Sequence, residues 1–485
     1  MTQLAMALTA RMRKSQLYRR CRRPYPVRTV TTRSQSTASS CFIQRLPPEV
    51  LDMILDRLSV LEISVFSMVS KVISSYTMDY ISTLAWKNKM ITKSFHYITR
   101  MSDQCSIIAH YKALGLLFKR CTLLLPTKDR LKFIFSKFSQ VPCFMLEQCT
   151  TADCIGFSCY GVFLQTLIAG WDELECNRVF SFLCNLTNLP RKIEAVVAGK
   201  PGVSWYQELQ LRLFCRRVLL DPWPQSQDSA FWLTQILKPW PMVSQARLLF
   251  IFYGPLLPDS TLGWQDLVGR ELPHCALWDL ARAILVLHSN LEVQDWTTNT
   301  MVSILEELTV IPQMWHVENV ARLLVLCGSS LCYSVLASKA VNGRLHEISK
   351  VIVYIILVCE KDGFHMNWAA KIVLKLCQIF KTTAEKFLFI HTVEDMLSEI
   401  TMELYELATV VTYSQGTILN TERFSRPCVS CSTPALTSTP KCSNCYSGSS
   451  EAEKKCLWSA DGNNVMWERG FKRLVSERNR SQQCD

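Results

Sequence analysis

The chain has 485 residues, 49% of them hydrophobic and 19% charged, with a formal net charge of +12. That length allows about three average domains, and the composition supports a core over most of the chain. No apolar run approaches the ~18 residues that span a bilayer; the longest, Val351 to Cys359, reads as a buried helix, so no membrane partner is expected. Twenty-two cysteines without a secretory signal point to reduced thiols in the cytosol or nucleus, not to a disulfide scaffold.

Residues 1–40 contain nine basic residues and no acidic one. They carry +9 of the +12, leaving +3 on the other 445 residues. The folded part is therefore not a basic nucleic-acid platform, and direct nucleic-acid binding is not expected. The tail is rich in Ser and Thr and poor in aliphatics after residue 8, a composition that predicts disorder. Arg19, Arg20, Arg22 and Arg23 form a candidate nuclear localisation signal, which favours the nucleus over the cytoplasm. The same acid-free, Arg-rich stretch also fits a mitochondrial transit peptide, or a solvated tail with no receptor.

Residues 46–71 predict two short amphipathic helices with almost no linker. Pro47 and Pro48 stand where a helix starts and a missing N–H costs nothing. Leu51, Ile54, Leu55 and Leu58 recur at i, i+3, i+4 and i+7 as one stripe. Ser59 and Glu62 make an S-x-x-E capping box that closes one helix and opens the next. So small a unit cannot bury this apolar surface alone, and part of it must face a partner or the rest of the chain.

Leu46, Pro47, Glu49, Ile54, Leu55, Leu58, Glu62, Ile63, Val69 and Lys71 follow the pattern of an F-box, which residues 42–86 resemble. Ser70 replaces the usual Cys, and Trp86 is a loose counterpart of the expected Trp. The resemblance implies docking onto a Skp-type adaptor, and through it a cullin, by Leu46, Pro47, Val50, Ile54, Leu55, Leu58, Ile63 and Val69.

From about 105 to 412 the sequence reads as helix after helix. Trp368, Ile372, Leu376, Ile379 and Phe380 keep helical spacing, and Phe389, Val393, Met396, Leu397, Ile400, Leu404 and Leu407 continue it. Prolines at 126, 142, 190, 201, 222, 239, 255, 273 and 312 punctuate the pattern. No sustained two-residue alternation predicts strands. The fold class is therefore mostly α: F-box helices, then an irregular solenoid-like body, with disordered termini. No fixed period supports a named repeat family. Four sets of strings resemble one member of the F-box family in particular: Leu114–Thr122 with Pro126–Lys128, Cys159–Gly161 with Gly170–Cys176, Asp228–Trp232 with Lys238–Met242, and Ala337–Arg344. That resemblance implies a germline, meiotic ubiquitin-ligase adaptor.

Residues 420–485 form a separate Cys-rich, partly disordered region. Cys428-x-x-Cys431 and Cys442-x-x-Cys445 are the only such pairs in the chain and lie ten residues apart. Four thiolates can hold a structural zinc with no open position, against the alternative of free thiols. Cys143, Cys149, Cys154 and Cys159 also cluster, but without an x2 pair they read as buried or loop thiols. The eight histidines, from His96 to His391, form no H-E-x-x-H or nucleophile–base motif, and the 16 glycines form no phosphate loop. A Cys–His hydrolase leaves little trace in sequence and stays a formal alternative. Trp171, Trp223, Trp232 and Trp240 are read as packing anchors before a partner surface.

The reading that follows is a non-catalytic adaptor needing no cofactor. It would hold an unknown protein substrate near a ubiquitin-conjugating enzyme. The rivals are a non-degradative scaffold tethering chromosomal proteins and a zinc-dependent nucleic-acid binder working through the two tails.

Overall fold

The computed structural model describes residues 46–98, 100–146, 149, 153–289 and 296–421, with side chains followed as far as residue 403. The basic tail with Arg19, Arg20, Arg22 and Arg23, and the region holding Cys428, Cys431, Cys442 and Cys445, lie outside the described residues. Among those described there is no β-strand, only an isolated bridge between Leu256 and Leu262.

Four short helices open the fold: α1 Pro48–Arg57, α2 Val60–Phe66, α3 Lys71–Ser82 and α4 Leu84–Met90. Each boundary has a local chemical cause. Pro47 caps α1 and Pro48 occupies its first turn. The capping box forms as the sequence predicts: Ser59 Oγ accepts the Glu62 N–H at 3.3 Å, and Glu62 Oε2 accepts the Ser59 N–H at 2.7 Å. Ser70, the departure from the family pattern, caps α3 by accepting the Ile73 N–H at 3.2 Å. Thr83 does the same for α4, accepting from Trp86 at 3.3 Å.

The body begins at α5, Met101–Cys121, followed by α6, Thr127–Phe138, and α7, Gly156–Ile168. Helices α5 and α7 pack closely because Gly115 has no side chain: a Cβ there would stand 2.8 Å from Phe163 O. Beyond α7, helices stack on partners two or three helices along the chain. Met242–Tyr253 meets Thr298–Leu308, which meets Gly328–Val341. Val317–Leu326 meets Leu345–Lys361, which meets Thr383–Thr421. Each helix thus buries one stripe against its predecessor and one against its successor, the packing of an α-solenoid. Ile372, Leu376, Phe389, Met396 and Ile400 sit inside, as their spacing predicts. Trp232 is fully buried and stacks on Trp223 at 5.7 Å, while Arg130 lies 4.4 Å over Trp171, so these aromatics are packing anchors.

Buried charges tie the layers together. Arg322, 1% exposed, donates to Asp362, Glu271, Glu318 and the Leu272 carbonyl. Arg212 donates to Ile251 O and Gly254 O at 3.0 and 2.8 Å, satisfying carbonyls at the end of Met242–Tyr253. A π-helical turn at Cys215–Leu220 runs against α7, where Gly161 leaves room for it. An added Cβ would lie 2.0 Å from Arg217 O and 2.8 Å from Pro222 Cγ. Backbone cannot yield as a flexible side chain can, so Gly161→Ala should destabilise the fold by about 1–3 kcal/mol or more. Chemical unfolding checks this; an unchanged midpoint would show that α7 and the π-helical turn can part there at no cost.

Candidate partner-binding site

The first four helices pack directly against the body. Leu55 and Ile63 are fully buried, and Trp86 meets Phe118 edge to face at 6.2 Å. Arg120 of α5 donates to Ser64 Oγ of α2 at 2.9 Å. Helix α3 clamps α1: Tyr76 Oη reaches Pro48 O at 2.7 Å and Asp52 Oδ1 at 2.8 Å, and Tyr80 donates to Asp56 Oδ1 at 2.8 Å. Burial, then the Asp52 carboxylate, pushes the Tyr76 phenol up to about 12, so it stays a donor. The Tyr80 hydroxyl, and then Lys89, hold Asp56 below its usual range.

The opposite faces remain apolar and exposed. On α1 these are Val50, Met53 and Ile54, at i, i+3 and i+4. On α2 and the turn after it they are Leu61, Val65, Met68 and Val69, with Val72 opening α3. Eight large apolar side chains are thus exposed within 23 residues, interspersed with the exposed charges of Glu49, Asp52, Glu62 and Lys71. Such a face marks a macromolecular docking surface, and it carries no reactive constellation.

The residues expected at the partner divide into three groups. Pro47, Val50, Ile54 and Val69 are exposed; Leu46 and Leu58 are half-buried. Leu55 and Ile63 are a correction: both are sealed within the chain's own core and hold the helices to the body. Periodicity shows which residues share a stripe but not whether that stripe faces the chain or a partner. Met53, Leu61, Val65, Met68 and Val72 were missed, although they are the aliphatics left over once the inward stripe is assigned.

A short helix triplet opened by Pro, joined through a capping box, displaying an apolar face and fused to a helical body defines the class of F-box proteins. Residues 43–77 match the F-box domain family, and residues 186–424 match the family described as FBXO47, ARM repeats. F-box only protein 47 of Mus musculus is 47% identical over 365 residues, covering 74% of this chain and 81% of the relative. Its Homo sapiens counterpart is 48% identical over 366 residues, covering 74% and 80%. The chain belongs to the F-box only protein 47 family. No solved structure matches it. The repeat match corrects the expectation that no named repeat family applies: residues 186–424 of the body match ARM repeats.

Three of the four cysteines that cluster in the sequence come together in the fold, joined by a histidine that the sequence did not single out. His96, Cys143, Cys149 and Cys154 converge, while Cys159 lies apart within α7. Among the described residues no helix is long and apolar enough to cross a membrane.

Proposed function

We propose that the chain is the non-catalytic substrate-recognition subunit of a Skp–cullin–F-box ubiquitin ligase. The observation that carries this is the exposed apolar face of α1 to α3, set on helices whose other faces are locked into the body. The face docks on the Skp-type adaptor, which brings the cullin. The ARM-repeat body offers an extended surface for a protein substrate, as solenoids commonly do. The contribution to chemistry is proximity: a substrate lysine is held at high effective concentration near the conjugating enzyme. The germline, meiotic setting implied by the resemblance belongs to this proposal.

Affinity purification from germ cells tests it, with the wild-type chain beside a variant whose apolar face is disrupted. Adaptor and cullin should vanish from the variant, while substrates accumulate on it. A folded wild-type chain that brings down partners without cullin would favour the non-degradative scaffold.

Two further proposals concern the ends of the chain. Arg19, Arg20, Arg22 and Arg23 direct nuclear entry; deleting residues 1–40 should move a fluorescent fusion toward the cytoplasm. An unchanged nuclear signal, or a mitochondrial one from the intact chain, would overturn this. Cys428, Cys431, Cys442 and Cys445 hold a structural zinc, so changing all four to Ser should remove about one zinc per chain. An unchanged metal content would return them to free thiols.

A further inference from the structure

Three separate segments bring four metal-ligating side chains to one point. The stretch after α4 supplies His96, a 3-10 turn at Pro142–Phe144 supplies Cys143, and the approach to α7 supplies Cys149 and Cys154. Their ligand atoms all lie within 4.8 Å of one another. His96 Nε2 is 3.2 Å from Cys143 Sγ and 3.3 Å from Cys149 Sγ. A tetrahedral zinc with Zn–S of about 2.3 Å and Zn–N of about 2.0 Å requires edges of about 3.8 Å between sulfurs and about 3.5 Å between sulfur and nitrogen. The four atoms therefore need move by no more than about 1 Å to become a complete coordination sphere.

The surroundings are built to hold them there. Phe95, beside His96, is buried against Phe144, beside Cys143, with stacked rings 5.6 Å apart. Gln210 donates to Cys149 O at 2.6 Å, and Arg217 donates to Cys154 O at 2.9 Å. The Gly156 N–H points at Cys154 Sγ at 3.4 Å, and a donor so placed steadies a bound thiolate. Gly156 is also sterically required: a Cβ would stand 2.5 Å from Cys143 Cβ. The three cysteines are buried and His96 is exposed, which gives a protected site with one open edge for loading. Among the described residues this is the one place where three or more His, Cys, Asp or Glu ligands converge.

We propose that His96, Cys143, Cys149 and Cys154 form a structural Cys3His zinc site joining the end of the F-box region to the first helices of the body. On binding, each of the three thiols releases its proton to solvent, and His96 coordinates through the lone pair of a neutral Nε2. Four protein ligands leave no open position, so the ion is structural and not catalytic. The bare alternative is three buried thiols beside a surface histidine.

The test uses the full-length chain with Cys428, Cys431, Cys442 and Cys445 changed to Ser, so that any zinc counted belongs to this site. About one zinc per chain should remain. X-ray absorption should show three sulfurs at about 2.3 Å and one nitrogen at about 2.0 Å. Cys143→Ser with Cys154→Ser should lose the metal. Because those changes sit in the core and could unfold the chain, His96→Cys provides the deciding arm. His96 is exposed, so the fold should tolerate the change, zinc should stay and the shell should become four sulfurs. A background protein that holds no zinc and takes up none when zinc is added overturns the proposal. So does a bound zinc whose shell is unaltered by His96→Cys.

Discussion

Exchanging Val65 and Val69 for Glu should leave the chain folded and strip adaptor and cullin from its purified complexes. Both valines are more than half exposed, so the change removes little packing in the free chain, and surface substitutions of this kind usually fall within about 0.5 kcal/mol. In a complex they would lie in the apolar centre of the contact. Truncating such an anchor typically costs ~2 kcal/mol or more, about thirtyfold in affinity, and a carboxylate buried there without a partner costs further. Leu55→Ala with Ile63→Ala is the contrasting pair. Both residues are fully buried, and a buried Leu or Ile to Ala change costs about 2–5 kcal/mol of stability each. That pair should broaden thermal unfolding and weaken every interaction, while the Glu pair should affect only the adaptor. If the folded Glu variant still recovers adaptor and cullin at wild-type levels, the exposed face is not the docking surface.

Arg247→Met should produce a large loss of stability for a single change in the body. Glu208 is completely buried. It accepts from Arg247 at 3.1 Å, from Trp264 Nε1 at 2.9 Å and from the Gly202 N–H at 3.1 Å. Arg247 also donates to Val197 O at 3.1 Å and to Gly199 O. Removing the guanidinium leaves a carboxylate in the core with no countercharge and strands the carbonyls that end helix Leu189–Ala198. Breaking one side of a buried pair typically costs about 3–5 kcal/mol. Adding Glu208→Gln should recover much of that loss, since a neutral amide can still accept from Trp264 and needs no cation. Denaturant unfolding of the two single variants and the double variant reads the coupling directly. Additive losses would mean that the two residues are stabilised separately.

The helix boundaries of the first region were legible because their causes are local. A Pro pair and a capping box act within four residues, and both form as the sequence predicts; the cap that Ser70 supplies was read only from the structure. The helical body was equally legible from 3.6-residue spacing. Its ARM-repeat character was not, because a π turn at Cys215–Leu220 and helices from four to 39 residues long blur any period. The burial of Leu55 and Ile63 depends on α5 arriving from some 50 residues downstream, a contact that no local pattern records. The same limit hid the His96 cluster. Its ligands sit at x5 and x4 spacings with the histidine far upstream, so only the tertiary fold reveals them.

Trp86 against Phe118 and Arg120 against Ser64 hold the first four helices directly on the long body. A bracket without a joint fixes direction as well as distance. Cargo seated on the body would be presented along one bearing to whatever assembles at the other end. Which of its lysines are modified would then follow from how it seats, not from how far a tether lets it wander. Neighbouring lysines on one cargo would be treated unequally, a pattern that mapping the modified positions reads directly.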